Sequence, residues 1–149
     1  MKVLLIEDDQ NKSKQIIDFF QIEFKDSLIE LRKSYQSGLK EILSTDYDYI
    51  LLDMQLPNFD IKSGEDGYKF RKLAGVDILR ELSRKKINCK VIVVTQFETF
   101  GENESYIELK DLKKIIEEQF GDLYIGTVFY SADMSIWQNE LKDIINKKL

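Results

Sequence analysis

Three acidic residues in a row, Glu7-Asp8-Asp9, follow the apolar run Val3–Ile6, Asp53 follows a second such run at Tyr49–Leu52, and Thr95 closes a third at Val91–Val94. Carboxylates crowded at one place raise each other's pKa, and a bound cation removes that cost. Oxygen-only ligands suit a hard ion, and Mg²⁺ takes one or two carboxylates together with waters and phosphate oxygens. A carboxylate beside such an ion can attack a phosphoryl group, because the metal offsets the repulsion between two anions. The chain has no His and a single Cys, Cys89. This excludes imidazole bases, Ser-His triads, an internal disulfide and a cysteine zinc cluster, and it suits a reducing, intracellular setting. Carboxylates, hydroxyls and lysines are left to carry any chemistry.

These acids meet only if the intervening chain brings the apolar runs side by side. Short β-rich runs recur at Val3–Ile6, Leu28–Leu31, Tyr49–Leu52, Val91–Val94 and Tyr124–Tyr130, separated by segments with helical periodicity. In the first helix Ile16, Ile17, Phe20 and Phe24 share a stripe, while Asn11, Lys12, Lys14 and Asp18 are expected to point away from it. Ser34 is placed to cap a second helix buried through Leu39, Ile42 and Leu43, and Gly75 opens a third with Val76, Leu79 and Leu82 inward. A fourth spans about Ile107–Phe120 with Leu109, Leu112, Ile115, Ile116 and Phe120 on its stripe and Gly121 to stop it. A fifth, from about Met134, buries Ile136, Trp137, Leu141, Ile144 and Ile145. Strands alternating with helices predict an α/β fold, a doubly wound five-stranded parallel sheet of the flavodoxin-like type with helices on both faces. In such sheets ligands gather beyond the carboxyl ends of the strands, where these acids and Thr95 stand.

The 149 residues carry 22 Lys and Arg against 27 Asp and Glu, a net charge of −5 and a pI near 4.9. That balance speaks against a surface that tracks nucleic-acid phosphates. The first apolar run is too short for a signal peptide or a membrane span, so no membrane partner and a cytoplasmic location are expected. One domain over residues 1–149 is the expectation from length.

Lys2-Val-Leu-Leu-Ile-Glu-Asp-Asp9, Tyr47-Asp-Tyr-Ile-Leu-Leu-Asp-Met-Gln-Leu-Pro57 and Val91-Ile-Val-Val-Thr95 resemble the three signature blocks of response-regulator receiver domains, and the match spans nearly the whole chain. The resemblance implies that Asp53 is the phosphoacceptor, that Glu7 and Asp8 are the acidic pair around Mg²⁺, that Gln55 gives a backbone carbonyl to the metal, and that Thr95 is the switch hydroxyl. Asp9 would lie just outside the metal's ligands. It further implies a phosphoryl donor that is a histidine kinase or phosphotransfer protein, and output to a partner through the face of the fourth helix, fifth strand and fifth helix. The domain would then be a phosphoacceptor in a phosphorelay rather than an enzyme, apart from slow self-dephosphorylation.

Three departures from the family pattern accompany the match. The Gly that opens the third helix normally follows the Pro within about four residues, whereas Gly75 stands eighteen positions after Pro57, so an insertion occupies 58–74. A second enlargement, 96–105, follows Thr95. The Lys-Pro that normally ends the fifth strand is absent, with Tyr130-Ser131 in its place and no Lys between Lys114 and Lys142. That lysine pairs with the phosphoryl group in the family, and Lys62, Lys69, Arg71 and Lys72 of the first insertion are candidates to replace it. Tyr124, Phe129 and Tyr130 are candidates for the aromatic partner of the switch. Two other readings stand beside the phosphoacceptor: a pseudo-receiver that binds partners without phosphate, and a Mg²⁺-dependent phosphatase, which lacks an acid two residues past Asp53 where Gln55 stands.

Overall fold

Val3, Leu4, Leu5 and Ile6 are all inaccessible to solvent, as an apolar run without alternation must be when both faces of a parallel strand are covered. The computed structural model of the chain describes residues 1–61, 70–101 and 106–148. Within them lie the five expected strands: β1 (Lys2–Ile6), β2 (Leu28–Arg32), β3 (Tyr49–Leu52), β4 (Lys90–Thr95) and β5 (Tyr124–Phe129). They pair in the order β2-β1-β3-β4-β5, every neighbour parallel. The helices are α1 (Gln10–Glu23), α2 (Tyr35–Ser44), α3 (Ala74–Arg84), α4 (Leu109–Phe120) and α5 (Ile136–Lys148).

Side chains alternate across the sheet and so create two cores. Leu4, Ile6, Ile50, Leu52, Val91 and Val93 pack against α2, α3 and α4. Val3, Leu5, Tyr49, Leu51, Ile92 and Val94 pack against Ile16, Phe19 and Phe20 of α1 and Trp137, Leu141 and Ile145 of α5. The chain leaves β1 toward β2 on one side and then builds β3, β4 and β5 on the other, so the order reverses between β1 and β3. A crevice opens past their carboxyl ends at such a point.

Several helices are rotated relative to the sequence expectation. In α1 the buried stripe is Lys12, Ser13, Ile16, Phe19 and Phe20, which places Lys12 inward rather than outward: positions 12, 16, 19 and 20 share one face of a 3.6-residue helix. The Asp9 side chain fixes that phase by accepting the Lys12 backbone N–H at 2.9 Å as the N-cap. In α2, capped as expected by Ser34 with Ser37 in a reciprocal pair, Tyr35, Gly38 and Ile42 face the core while Leu43 is half exposed. Ile115 and Ile136 likewise stay at the surface.

Both insertions are pinched at the base. Leu56–Pro57 pairs antiparallel with Phe70–Arg71, and Thr99–Phe100 pairs antiparallel with Ile107–Glu108. Each extra segment therefore leaves and re-enters the sheet's carboxyl edge through a two-residue ladder, without displacing the helix that follows. Among the described residues no helix is long and apolar enough to cross a membrane.

Candidate functional site

β1 and β3 are adjacent and in register, Ile6 opposite Leu52, so the residues that follow them, Glu7 and Asp53, emerge together. Both are buried, as is Thr95 at the end of β4. Carboxylate oxygens of Glu7, Asp8 and Asp53 all lie within 4.8 Å of one another. They open on a cavity of about 290 Å³ that Gln55, Gln96 and Phe97 also line. Asp53 is oriented by its neighbours: its N–H donates to the Ile6 carbonyl at 3.3 Å, and its Oδ1 accepts the Met54 N–H at 2.8 Å. The Thr95 hydroxyl oxygen accepts the Phe97 N–H at 3.2 Å.

The carboxylates are balanced by a lysine. Lys12, only 1% exposed, forms ion pairs with Glu7 Oε1 and with Asp53 Oδ2, the latter at 3.2 Å. The contact with Glu7 Oε1 is ionic and lacks hydrogen-bond geometry. Lys12 Nζ also donates to the Val94 carbonyl at 2.8 Å, so the residues just past β1 and β3 and the end of strand β4 each bring one oxygen to the ammonium. Its other neighbour is the ring of Tyr130, 5.8 Å from Nζ to the ring centre, within the range where an aromatic face attracts a cation. Burial pushes the Glu7 carboxyl above its ordinary value, with Asp53 adding to the rise and Lys12 opposing it. Asp8 is raised by the same two causes, burial first and then Asp53. Burial would lower the Lys12 ammonium, but Asp53 and Glu7 together outweigh it and hold the pKa above that of a free lysine.

Gly75 explains how α3 starts beside the site despite the long insertion. Its N–H donates to the Met54 carbonyl at 3.1 Å. A Cβ at this position would stand 2.2 Å from Met54 Cε and 2.9 Å from the Asp53 carbonyl oxygen. Only glycine admits this approach of α3 to the backbone that carries Asp53.

No family model matches the chain. Over 144 residues it is 30% identical to the Detocs response regulatory protein DtcB of Enterobacter cloacae, an alignment covering 95% of each protein. The chain belongs to the response-regulator family. This response regulator is also 28% identical over 144 residues to the uncharacterized protein y4jR of Sinorhizobium fredii, covering 96% of its own length and 95% of that protein. Its fold matches that of the response regulator TrrA from Thermotoga maritima, solved in complex with Mg²⁺ and BeF. The TM-score is 0.65 at 18% identity, covering 99% of this chain and 98% of that one.

In this response regulator the residues expected at the site, Glu7, Asp8, Asp53 and Gln55, line one cavity. Thr95 sits at the neighbouring strand end with its hydroxyl bound to the Phe97 N–H. Asp9 caps α1. Of the cations proposed from the first insertion, Arg71 is engaged elsewhere: it donates to Asn58 Oδ1 at 3.1 Å, pairs with Asp77 at 3.3 Å and stacks 3.9 Å over Tyr35. Lys72 is at the surface, and Lys62 and Lys69 lie outside the described residues. The buried cation is Lys12, which sequence reasoning assigned to the solvent side of α1. Its signal was its place four residues before Ile16 and eight before Phe20, on the apolar stripe itself. Of the three aromatic candidates, Tyr130 lies against Lys12, while Tyr124 bonds to Thr127 and Phe129 is half exposed.

Proposed function

We propose that this response regulator accepts a phosphoryl group on Asp53 from a histidine kinase or a phosphotransfer protein and relays that state to a protein partner. The observation that carries this reading is the convergence of Glu7, Asp8 and Asp53 on one cavity. In the transfer an Asp53 carboxylate oxygen attacks the phosphorus of the donor's phosphohistidine. A P–O bond forms as the P–N bond breaks, and the leaving imidazole takes a proton from solvent.

Three carboxylates with no His or Cys among them are a donor set that fits Mg²⁺. Glu7 and Asp8, with Asp53 and the Gln55 carbonyl, would hold the ion, which supplies charge neutralisation of the phosphoryl oxygens when bound. The chain's own groups position the nucleophile: the Met54 N–H fixes Asp53 Oδ1, and the Ile6 carbonyl anchors its backbone. Thr95 is the hydroxyl that moves toward the phosphoryl group, and the surface of α4, β5 and α5 is the output face. Trp137, buried on α5 with its ring 5.4 Å from that of Tyr130, reports that movement. The unit extends over residues 1–149 and acts in the cytoplasm without enzymatic turnover beyond slow loss of its own phosphoryl group.

Intact-mass analysis with a small phosphodonor and Mg²⁺ tests the reading. One phosphoryl adduct on the parent protein and none on Asp53→Asn is the expected result. An unlabelled parent protein overturns it and leaves a phosphate-independent interaction module.

A further inference from the structure

We infer that Lys12, reaching in from α1, is the cation that binds and stabilises the phosphoryl group on Asp53, taking the place of the lysine that β5 lacks. This inference rests on the phosphoacceptor reading above. Four observations converge on it. Lys12 is fully buried, a position a lysine occupies only where fixed partners replace its water. Its ammonium contacts the acceptor carboxylate itself, at Asp53 Oδ2, 3.2 Å away. The Val94 carbonyl, on the strand that ends in Thr95, accepts from it at 2.8 Å. The end of β5 is filled by Tyr130, whose N–H donates to the Thr95 carbonyl at 2.8 Å and whose hydroxyl donates to Gln15 Oε1 at 2.8 Å. That ring lies against Lys12, its centre 5.8 Å from Nζ, at the position where the β5 lysine is missing.

Phosphorylation adds negative charge next to Glu7 and Asp8. Lys12 is already dehydrated and anchored, so it meets that charge without reorganising, the condition under which a fixed charge contributes most. It moves no proton and remains an ammonium throughout.

The test compares the intact parent protein with Lys12→Met, Lys12→Gln and Lys12→Arg, using acetyl phosphate and Mg²⁺ and following the phosphoryl adduct by mass. Near-UV circular dichroism establishes that each variant is folded. The neutral variants are expected to label roughly ten- to a hundred-fold more slowly than the parent protein, the range of one charge-assisted hydrogen bond, and Arg to recover most of the rate. Labelling of folded Lys12→Met at the parental rate overturns the inference while leaving the phosphoacceptor reading intact. A parent protein that never labels overturns both. Should the neutral variants fail to fold, the parent protein itself decides: with Mg²⁺ and beryllofluoride bound at Asp53, the Lys12 side-chain Cε and Nζ resonances must shift. Unmoved Lys12 signals beside an occupied Asp53 also overturn it.

Discussion

The two ends of the parallel sheet handle charge in opposite ways. At the amino ends, Asp48 is exposed and its carboxylate accepts the Lys2 N–H at 2.8 Å, while the Asp48 backbone bonds to Lys2 and Lys90 on either side. The half-buried lysine side chains there lie over aromatic rings, Lys2 on Tyr47 and Lys90 on Tyr49. At the carboxyl ends Glu7 and Asp53 are buried, Asp8 is crowded against them, and the compensating charge is itself buried. The amino end ties strands together with groups that stay hydrated. The carboxyl end holds carboxylates in an arrangement that raises the pKa of Glu7 and Asp8, the kind of perturbation that gathers at functional sites.

The largest expected effect on this contrast comes from removing the buried cation. Lys12→Met leaves two buried carboxylates without their partner and should lower unfolding free energy by roughly 3–5 kcal/mol in urea titrations. Asp48→Ala at the other end, removing an exposed hydrogen bond, should cost no more than about 1 kcal/mol. Equal losses at the two ends would erase the distinction.

Gly75→Ala probes the same carboxyl end through packing rather than charge. The added methyl must push Met54 aside and meets the Asp53 carbonyl, so a loss of roughly 1–3 kcal/mol is expected. Amide shifts concentrated at residues 53–55 would show that the Asp53 loop takes the strain, and shifts elsewhere would place the contact's importance in α3 alone.

Magnesium should sharpen the comparison by stabilising one end only. At ten times its dissociation constant the ion should add about 1.4 kcal/mol, with saturable amide shifts at residues 7–9 and 53–55 and none at 48 or 89–90. Asp53→Ala should abolish both the stabilisation and the shifts. No saturable change at high millimolar metal would deny the carboxylates a metal-binding role.

At the amino end the perturbed group is a thiol. Burial pushes the Cys89 thiol up to about 11 from an ordinary 9.0, so the folded state disfavours the thiolate. The sign follows: this contribution to stability is fully present below pH 9 and is lost as pH rises toward 11. Alkylation of native Cys89 by iodoacetamide at pH 8 should therefore be much slower than that of the unfolded chain, and equal rates would mean the thiol is accessible.

The alternation of apolar runs and amphipathic helices determined the α/β class, because uniformly apolar strands require cover on both faces and helices between them supply it. The residue types at Glu7, Asp8 and Asp53 also narrowed the chemistry open to them, since crowded carboxylates without His or Cys call for a cation. What the sequence could not settle was helix phase. A shift of one or two positions, about 100° each, separates an exposed Lys12 from a buried one. The eye assigns a lysine to water because its free charge prefers water. Only the assembled sheet brings Glu7, Asp53 and the Val94 carbonyl to a single point, so that three oxygens from three strand ends replace that water. Likewise Gly75, far from Pro57 in sequence, reaches the loop that carries Asp53 because the Leu56–Pro57 and Phe70–Arg71 ladder closes the insertion at its base. Residue type and periodicity are local properties that a chain carries unfolded. The partner of a buried charge is a long-range property, and it comes into existence only when β1, β3, β4 and α1 are packed together.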